Sequence, residues 1–81
     1  MARQGMGELR TDMEVYTSDA VHVGRVKEIR GGDVLIDRSQ QRDIYVPLQL
    51  VGQVLPEEGR VELEISDDML QNTEWEHPPI F

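Results

Sequence analysis

The chain has no cysteine, and its 81 residues include only four aromatic rings, those of Tyr16, Tyr45, Trp75 and Phe81. Without thiols it can form neither disulfides nor thiolate metal sites. So few aromatics leave little surface on which nucleic-acid bases would stack. No apolar run approaches the roughly 18 residues that a membrane-spanning helix needs. The opening "MARQGMGELR" lacks the apolar stretch of a secretory leader, so a cytoplasmic protein is the expectation. Basic residues are scarce too, with 8 Lys and Arg against 16 Asp and Glu, a net charge of −8. The deficit is uneven: Arg60 is the only base after residue 50, and residues 51–81 carry a net −7. Affinity for nucleic acid rests largely on neutralising phosphates, which an acidic chain does poorly. Acidity favours solubility, or gives a basic partner a face to meet.

What the chain does have is short runs of β-forming residues separated by turn formers, the pattern of a small all-β domain. "MEVYT" (13–17) ends at Ser18 and Asp19, whose short polar side chains bond the local backbone. "VHVGRVKEI" (21–29) and "DVLID" (33–37) flank Gly31-Gly32, a hairpin signal because primed turns need positive φ. "DIYVP" (43–47) and "RVELEI" (60–65) bring the count to about five strands. In the last, Val61, Leu63 and Ile65 alternate with Glu62 and Glu64, giving one buried and one wet face. The run at 21–29 breaks its period of two, stepping by three from Val23 to Val26 to Ile29. An extra residue near Gly24 predicts a bulge or bend, as the curling of a few strands into a barrel requires. Pro47 has no N–H and holds Val46 extended, so "RDIYVPLQLVGQV" (42–54) predicts a corner leading into a helical turn or irregular crossover. Ser66 followed by Asp67 and Asp68 predicts a capped helical turn in "DDMLQN". Pro78-Pro79 favour an extended tail.

The segments Met13 to Asp19, "VGRVKEI" from Val23 to Ile29, and "IYVPL" from Ile44 to Leu48 occur in an order and spacing that resembles the PRC-barrel superfamily. Within it, the chain is similar to small stand-alone bacterial domains of unknown function. The resemblance spans residues 10 to 68. It implies a small, strongly bent β-barrel of five to six strands that acts by contacting other proteins. Members occur in the photosynthetic reaction-centre H subunit and in ribosome maturation factors. The superfamily supplies no catalytic residues, and neither "RSQQR" nor "TEWEHPPIF" belongs to a shared motif.

The residues themselves point away from catalysis, which needs a nucleophile or an acid–base pair held in a cleft. His22 alternates with Val21 and Val23 and is expected on the surface, and His77 precedes two prolines in the tail. The pairs Glu57-Glu58 and Asp67-Asp68 lack the spacing of a Ca²⁺ loop and suit a turn and a helix start. The glycines form no phosphate-binding fingerprint. No catalytic residue, cofactor or metal is therefore assigned. The candidate interaction residues are Trp75, Tyr45, Arg25, Lys27, Arg38 and Arg42. These four bases, with Arg30, form a patch or else pair with Glu28, Glu62 or Glu64 across the sheet. Trp75 either packs back on its own domain or anchors a partner.

The expectation is a flexible segment at 1–10, an all-β PRC-barrel-like domain at 11–71, and a C-terminal tail at 72–81. Its core is read as Val15, Val23, Val26, Ile29, Val34, Ile36, Ile44, Val46, Leu48, Val54, Val61, Leu63 and Ile65. The function expected is that of a non-catalytic protein-interaction or adaptor module. A ribosome- or RNA-associated factor is the alternative and a structural homo-oligomer the second, with nucleic acid disfavoured by charge.

Overall fold

The computed structural model describes residues 9–38, 40–73 and 75. Six strands form one mixed sheet: β1 (Glu14–Tyr16), β2 (His22–Ile29), β3 (Asp33–Asp37), β4 (Ile44–Pro47), β5 (Val51–Leu55) and β6 (Arg60–Leu63). A helix, α1 (Asp67–Gln71), follows β6. The strand order is β4-β3-β2-β1-β6-β5, antiparallel throughout except where β1 runs parallel to β6. The two outermost strands, β4 and β5, are consecutive in the chain. Only the 3₁₀ turn Leu48–Leu50 separates them. Leu48 N–H donates to Gly32 O at 3.1 Å on one side, and Glu64 N–H donates to Leu50 O at 2.7 Å on the other. This short turn thus belongs to both ends of the sheet, which must curl to bring them together. Among the described residues no ladder joins β4 to β5.

The corner after Pro47 is therefore present, but it leads on into a strand, β5, that the apolar run beyond it did not distinguish from a crossover. Alternation fails there because Gly52 and Gln53 are both exposed between buried Val51 and Val54. A register shift between Val51 and Gln53 accounts for this.

The bend expected near Gly24 is two irregularities. Against β1, Val15 pairs with Gly24 and Tyr16 with His22, leaving Val23 as the extra residue. Against β3, Val26 pairs with Ile36 and Glu28 with Leu35, leaving Lys27 as the extra one. Together they turn the strand strongly. Gly24 itself is required by backbone approach, because a Cβ there would fall 2.1 Å from Asp37 O. The β2–β3 hairpin forms, but without the primed turn expected. The only described glycine with positive φ is Gly59, so neither Gly31 nor Gly32 is left-handed. Arg30 N–H donates to Asp33 O at 2.9 Å, and the Arg30 guanidinium lies 3.0 Å from the buried Asp33 carboxylate. That second contact is ionic rather than a hydrogen bond, since Asp33 Oδ1 has no aligned donor.

The core contains Val15, Val26, Val34, Ile36, Ile44, Val46, Val54, Val61 and Leu63, with Val23, Leu48 and Ile65 packed on its margin. Ile29 is the exception, 40% exposed at the hairpin end of β2, beyond the reach of the three-residue β1. Leu9, Met13, Val51 and Leu70 complete the core cluster, and Leu35 is also buried. Each fully buried side chain contributes roughly 1.5–3 kcal/mol before chain entropy is counted, a large share in a domain this small. Leu9 also moves the start of the packed domain ahead of residue 11. α1 is the capped turn that Ser66 predicts: the Ser66 hydroxyl accepts the Met69 N–H at 3.3 Å.

Candidate functional site

The six candidate residues are held by different elements and do not converge on one site. Arg25, in β2, turns toward β1, where its Nε donates to Glu14 Oε2 at 2.8 Å. Lys27, the bulged residue of the same strand, reaches the other way to Asp43, with Nζ and Oδ2 3.0 Å apart. Arg25 and Lys27 flank buried Val26 and share the exposed face of β2, but they make no free basic patch, because each is held by a carboxylate. Asp43 raises the pKa of Lys27 through the hydrogen bond and its charge. Arg38 is buried, and its Nε donates to Arg42 O at 2.7 Å, clamping the loop between β3 and β4. Arg42 is exposed, and its backbone carbonyl is what the clamp uses.

Tyr45 and Trp75 do come together. Tyr45 lies in the edge strand β4, half buried, with the Arg30 guanidinium 5.1 Å from its ring centroid. Its backbone N–H points off the edge and donates to Trp75 O at 2.7 Å. Trp75 packs its partly buried ring against the hydrophobic core. The tail residue thus packs its side chain on the core and covers the β4 edge with its carbonyl. His77 and Phe81 lie outside the described residues.

A second arrangement spans the outer face of β2, β1 and β6. His22 Nε2 lies 2.5 Å from Glu14 Oε1, and the His22 ring meets Tyr16 edge-on with centroids 5.1 Å apart. Arg60 stacks over the other side of this motif, 4.2 Å from the Tyr16 centroid, and bonds Glu62 at 3.0 Å. The His22 hydrogen bond, with Arg25 adding to it, holds the Glu14 carboxyl below its usual range against the opposing effect of burial. A concavity of about 330 Å³ opens here, lined by Glu14, His22, Val23, Gly24, Arg25 and Asp37. It has an acid–base pair but no nucleophile in its lining, and His22 is as exposed as its alternation predicted.

Thr17 was read only as the end of a strand and Asp19 only as a turn former, yet the two carry a specific network. Thr17 is buried; its hydroxyl donates to the Asp19 carboxylate and accepts the Val21 N–H at 3.0 Å. Ala20 takes a left-handed φ of 68° to close the turn. Asp19 also accepts the N–H of Asp67, at the start of α1, and Ser18 N–H donates to Ile65 O at 2.9 Å. The Thr17 hydroxyl, then the Asp67 amide, lowers the Asp19 pKa. Spacing to Ser66 and Asp67 gave no signal for this contact, because the link is tertiary.

A shallower concavity, about 270 Å³, lies beside β5 and is lined by Ser18, Gly52, Gln53, Glu62, Leu63 and Glu64. Among the described residues no cluster of His, Asp and Glu is arranged to hold a metal ion. No helix among them is long and apolar enough to cross a membrane.

Compared with known families, residues 9–71 match the model of a family described as an uncharacterized protein conserved in bacteria (DUF2171). The chain belongs to this family. The DUF2171 match starts at Leu9, the first described core residue, and ends at Gln71, the last residue of α1. It therefore takes in the whole sheet and the Asp19–Asp67 link, and it stops short of Trp75. No curated protein matched the chain.

Proposed function

We propose that this DUF2171 domain is a non-catalytic protein-interaction module with PRC-barrel architecture. The observation that carries the reading is the unequal treatment of its two sheet edges. β4 ends in a proline and has Trp75 laid against it, whereas β5 has no described partner on its outer side. Uncovered strand edges are templates for pairing, and proteins normally blunt them with charge, proline or a covering element. The electrostatics support the same reading over RNA binding. Arg25, Lys27, Arg30 and Arg60 each sit on a carboxylate of this chain, and Arg38 is buried in its loop. Phosphate binding would have to displace those partners.

The test is capture of partners from native bacterial lysate on the tagged full chain, split into nuclease-treated and untreated halves. A protein retained after nuclease at constant stoichiometry is the expected result. Loss on nuclease treatment would move the reading to the ribosome or RNA. Concentration-dependent mass of the purified chain with no captured protein would make it a structural homo-oligomer.

A further inference from the structure

We infer that the β4 edge is a docking site for an extended segment carrying an aromatic ring flanked by acidic residues, a site that Trp75 fills in cis and a partner takes by displacing it. The inference rests on the interaction-module reading and names its surface and the chemistry of its partner. Ile44 and Val46 bury their side chains in the core, and between them Tyr45 turns its N–H off the edge to the Trp75 carbonyl at 2.7 Å. β5 presents no such backbone, because Val51 N–H is taken by Leu48 O and both Val51 and Val54 are buried. A carbonyl accepting from an edge amide is the unit of strand addition. Among the described residues it is the only backbone tie between the tail and the sheet, and the Trp75 ring beside it is only partly buried. That is a small hold to displace. The family match ends at Gln71, so the edge lies within the shared domain and its cover outside it.

Alternation decides what flanks the ring. With the aromatic turned to the core, its two neighbours in an extended segment turn to the opposite face. Tyr45 carries the Arg30 guanidinium on that face, 5.1 Å from its ring centroid. Arg30 meets the Asp33 carboxylate at 3.0 Å through Nε, and a guanidinium has five N–H donors, more than one carboxylate takes up. Arg42, just ahead of β4, is exposed and has no ionic partner among the described residues. Acidic neighbours of the ring are therefore attracted to Arg30 and Arg42, and basic ones are repelled. The occupant in cis has this composition, since Glu74 and Glu76 flank Trp75 in the sequence. A second copy of the whole chain is a poorer occupant, because each copy carries a net −8.

The probe is a blocked, tryptophan-free peptide with Glu-Phe-Glu at its centre, about eight residues long, titrated into the ¹⁵N-labelled full chain. Trp75 is then the only tryptophan present. Expected are a saturable red shift of Trp75 emission, as its ring leaves the core, and saturable shifts of the Tyr45 amide. Trp75→Ala removes the competing ring and should tighten peptide binding at least about fivefold, because a site filled in cis binds in proportion to its open fraction. Arg42→Glu changes an exposed side chain outside the core and should weaken binding at least about threefold. This variant and the peptide series decide the question if Trp75→Ala does not fold. Five results overturn the inference: no saturable change, an unmoved Tyr45 amide, equal affinity for wild type and folded Trp75→Ala, equal binding of the Lys-Phe-Lys counterpart, or full binding to Arg42→Glu. Tyr45 shifts that appear with protein concentration alone would give the edge to the tail of a second copy. A protein captured from lysate equally by wild type and Trp75→Ala would leave the interaction reading standing while removing this site. Peptide binding at β4 without any captured protein would do the reverse.

Discussion

The carboxylate of Asp19 accepts the backbone N–H of Asp67 at 3.1 Å, joining a turn between β1 and β2 to a helix 48 positions later. The same carboxylate accepts the buried Thr17 hydroxyl, so one side chain fixes the turn and caps α1 together with Ser66. Helix α1 has only five residues, too few to persist alone in water. Its position depends on this link and on the burial of Leu70.

Asp19→Asn therefore lowers the melting temperature at neutral pH and flattens its fall in acid. The Asp19 pKa is depressed in the folded state, so its contribution is present above the ordinary carboxylate pKa. It is lost as pH falls through the depressed value. Thermal unfolding followed by circular dichroism from neutral into acid pH measures both effects. An acid limb identical to wild type would show that the carboxylate does no more than an amide.

Gly24→Ala tests the close crossing of β2 and β3. The new Cβ would meet Asp37 O at 2.1 Å, a backbone atom that cannot swing aside. The expected loss is about 3 kcal/mol or more, at the upper end of overpacking. Gly31→Ala is the control. Nothing lies within 4 Å of its added methyl, and its φ is not left-handed. That change should stay within about 1 kcal/mol of wild type. Equal losses at the two sites, measured by urea unfolding, would remove the crossing as the explanation.

The contrast between these glycines shows how far the sequence could be read. Gly-Gly between two β runs marks a hairpin by local chemistry, and the hairpin is there, although Arg30 and Asp33 close it rather than a primed turn. Period two found the buried face of β6 directly, because β6 itself carries no extra residue and pairs with β1 without a shift. It failed for Ile29 and for β5, where bulges and strand length decide exposure, and these depend on partners far away in the chain. The candidate cations were legible as charges but not as a patch. Their carboxylate partners come from other strands and loops, and Glu14, Asp33 and Asp43 were not the ones expected. Trp75 was legible as a choice between two states, which the carbonyl bond to Tyr45 resolves in favour of docking.

The Lys27–Asp43 pair gives the opposite pH dependence to Asp19. Asp43 raises the Lys27 pKa in the folded state. Its contribution is complete below the ordinary lysine value and disappears as pH rises through the raised one. Lys27→Met should narrow the difference in stability between neutral and strongly alkaline solution. High salt should reduce the same difference in the wild type, since both groups are exposed to screening. No change in the alkaline limb with either treatment would show the pair to be energetically silent.

Trp75 separates two roles that one residue plays, packing through its ring and covering the β4 edge through its carbonyl. Trp75→Ala removes the first and keeps the second. It should cost about 2 kcal/mol, less than a fully buried tryptophan, and leave the chain monodisperse. Ending the chain at Thr73 removes both, leaving the Tyr45 N–H unpaired on an open edge. That truncated chain should lose similar stability and also associate with rising concentration through β4. Light scattering distinguishes the two variants. The single tryptophan reports on its own docking as well. Its emission should be blue-shifted in the native protein and weakly quenched by acrylamide, changing only at global unfolding. Free-indole emission and quenching in the folded wild type would mean that Trp75 is undocked. The β4 edge would then lack its cover, and the contrast between the two edges on which the interaction reading rests would be gone.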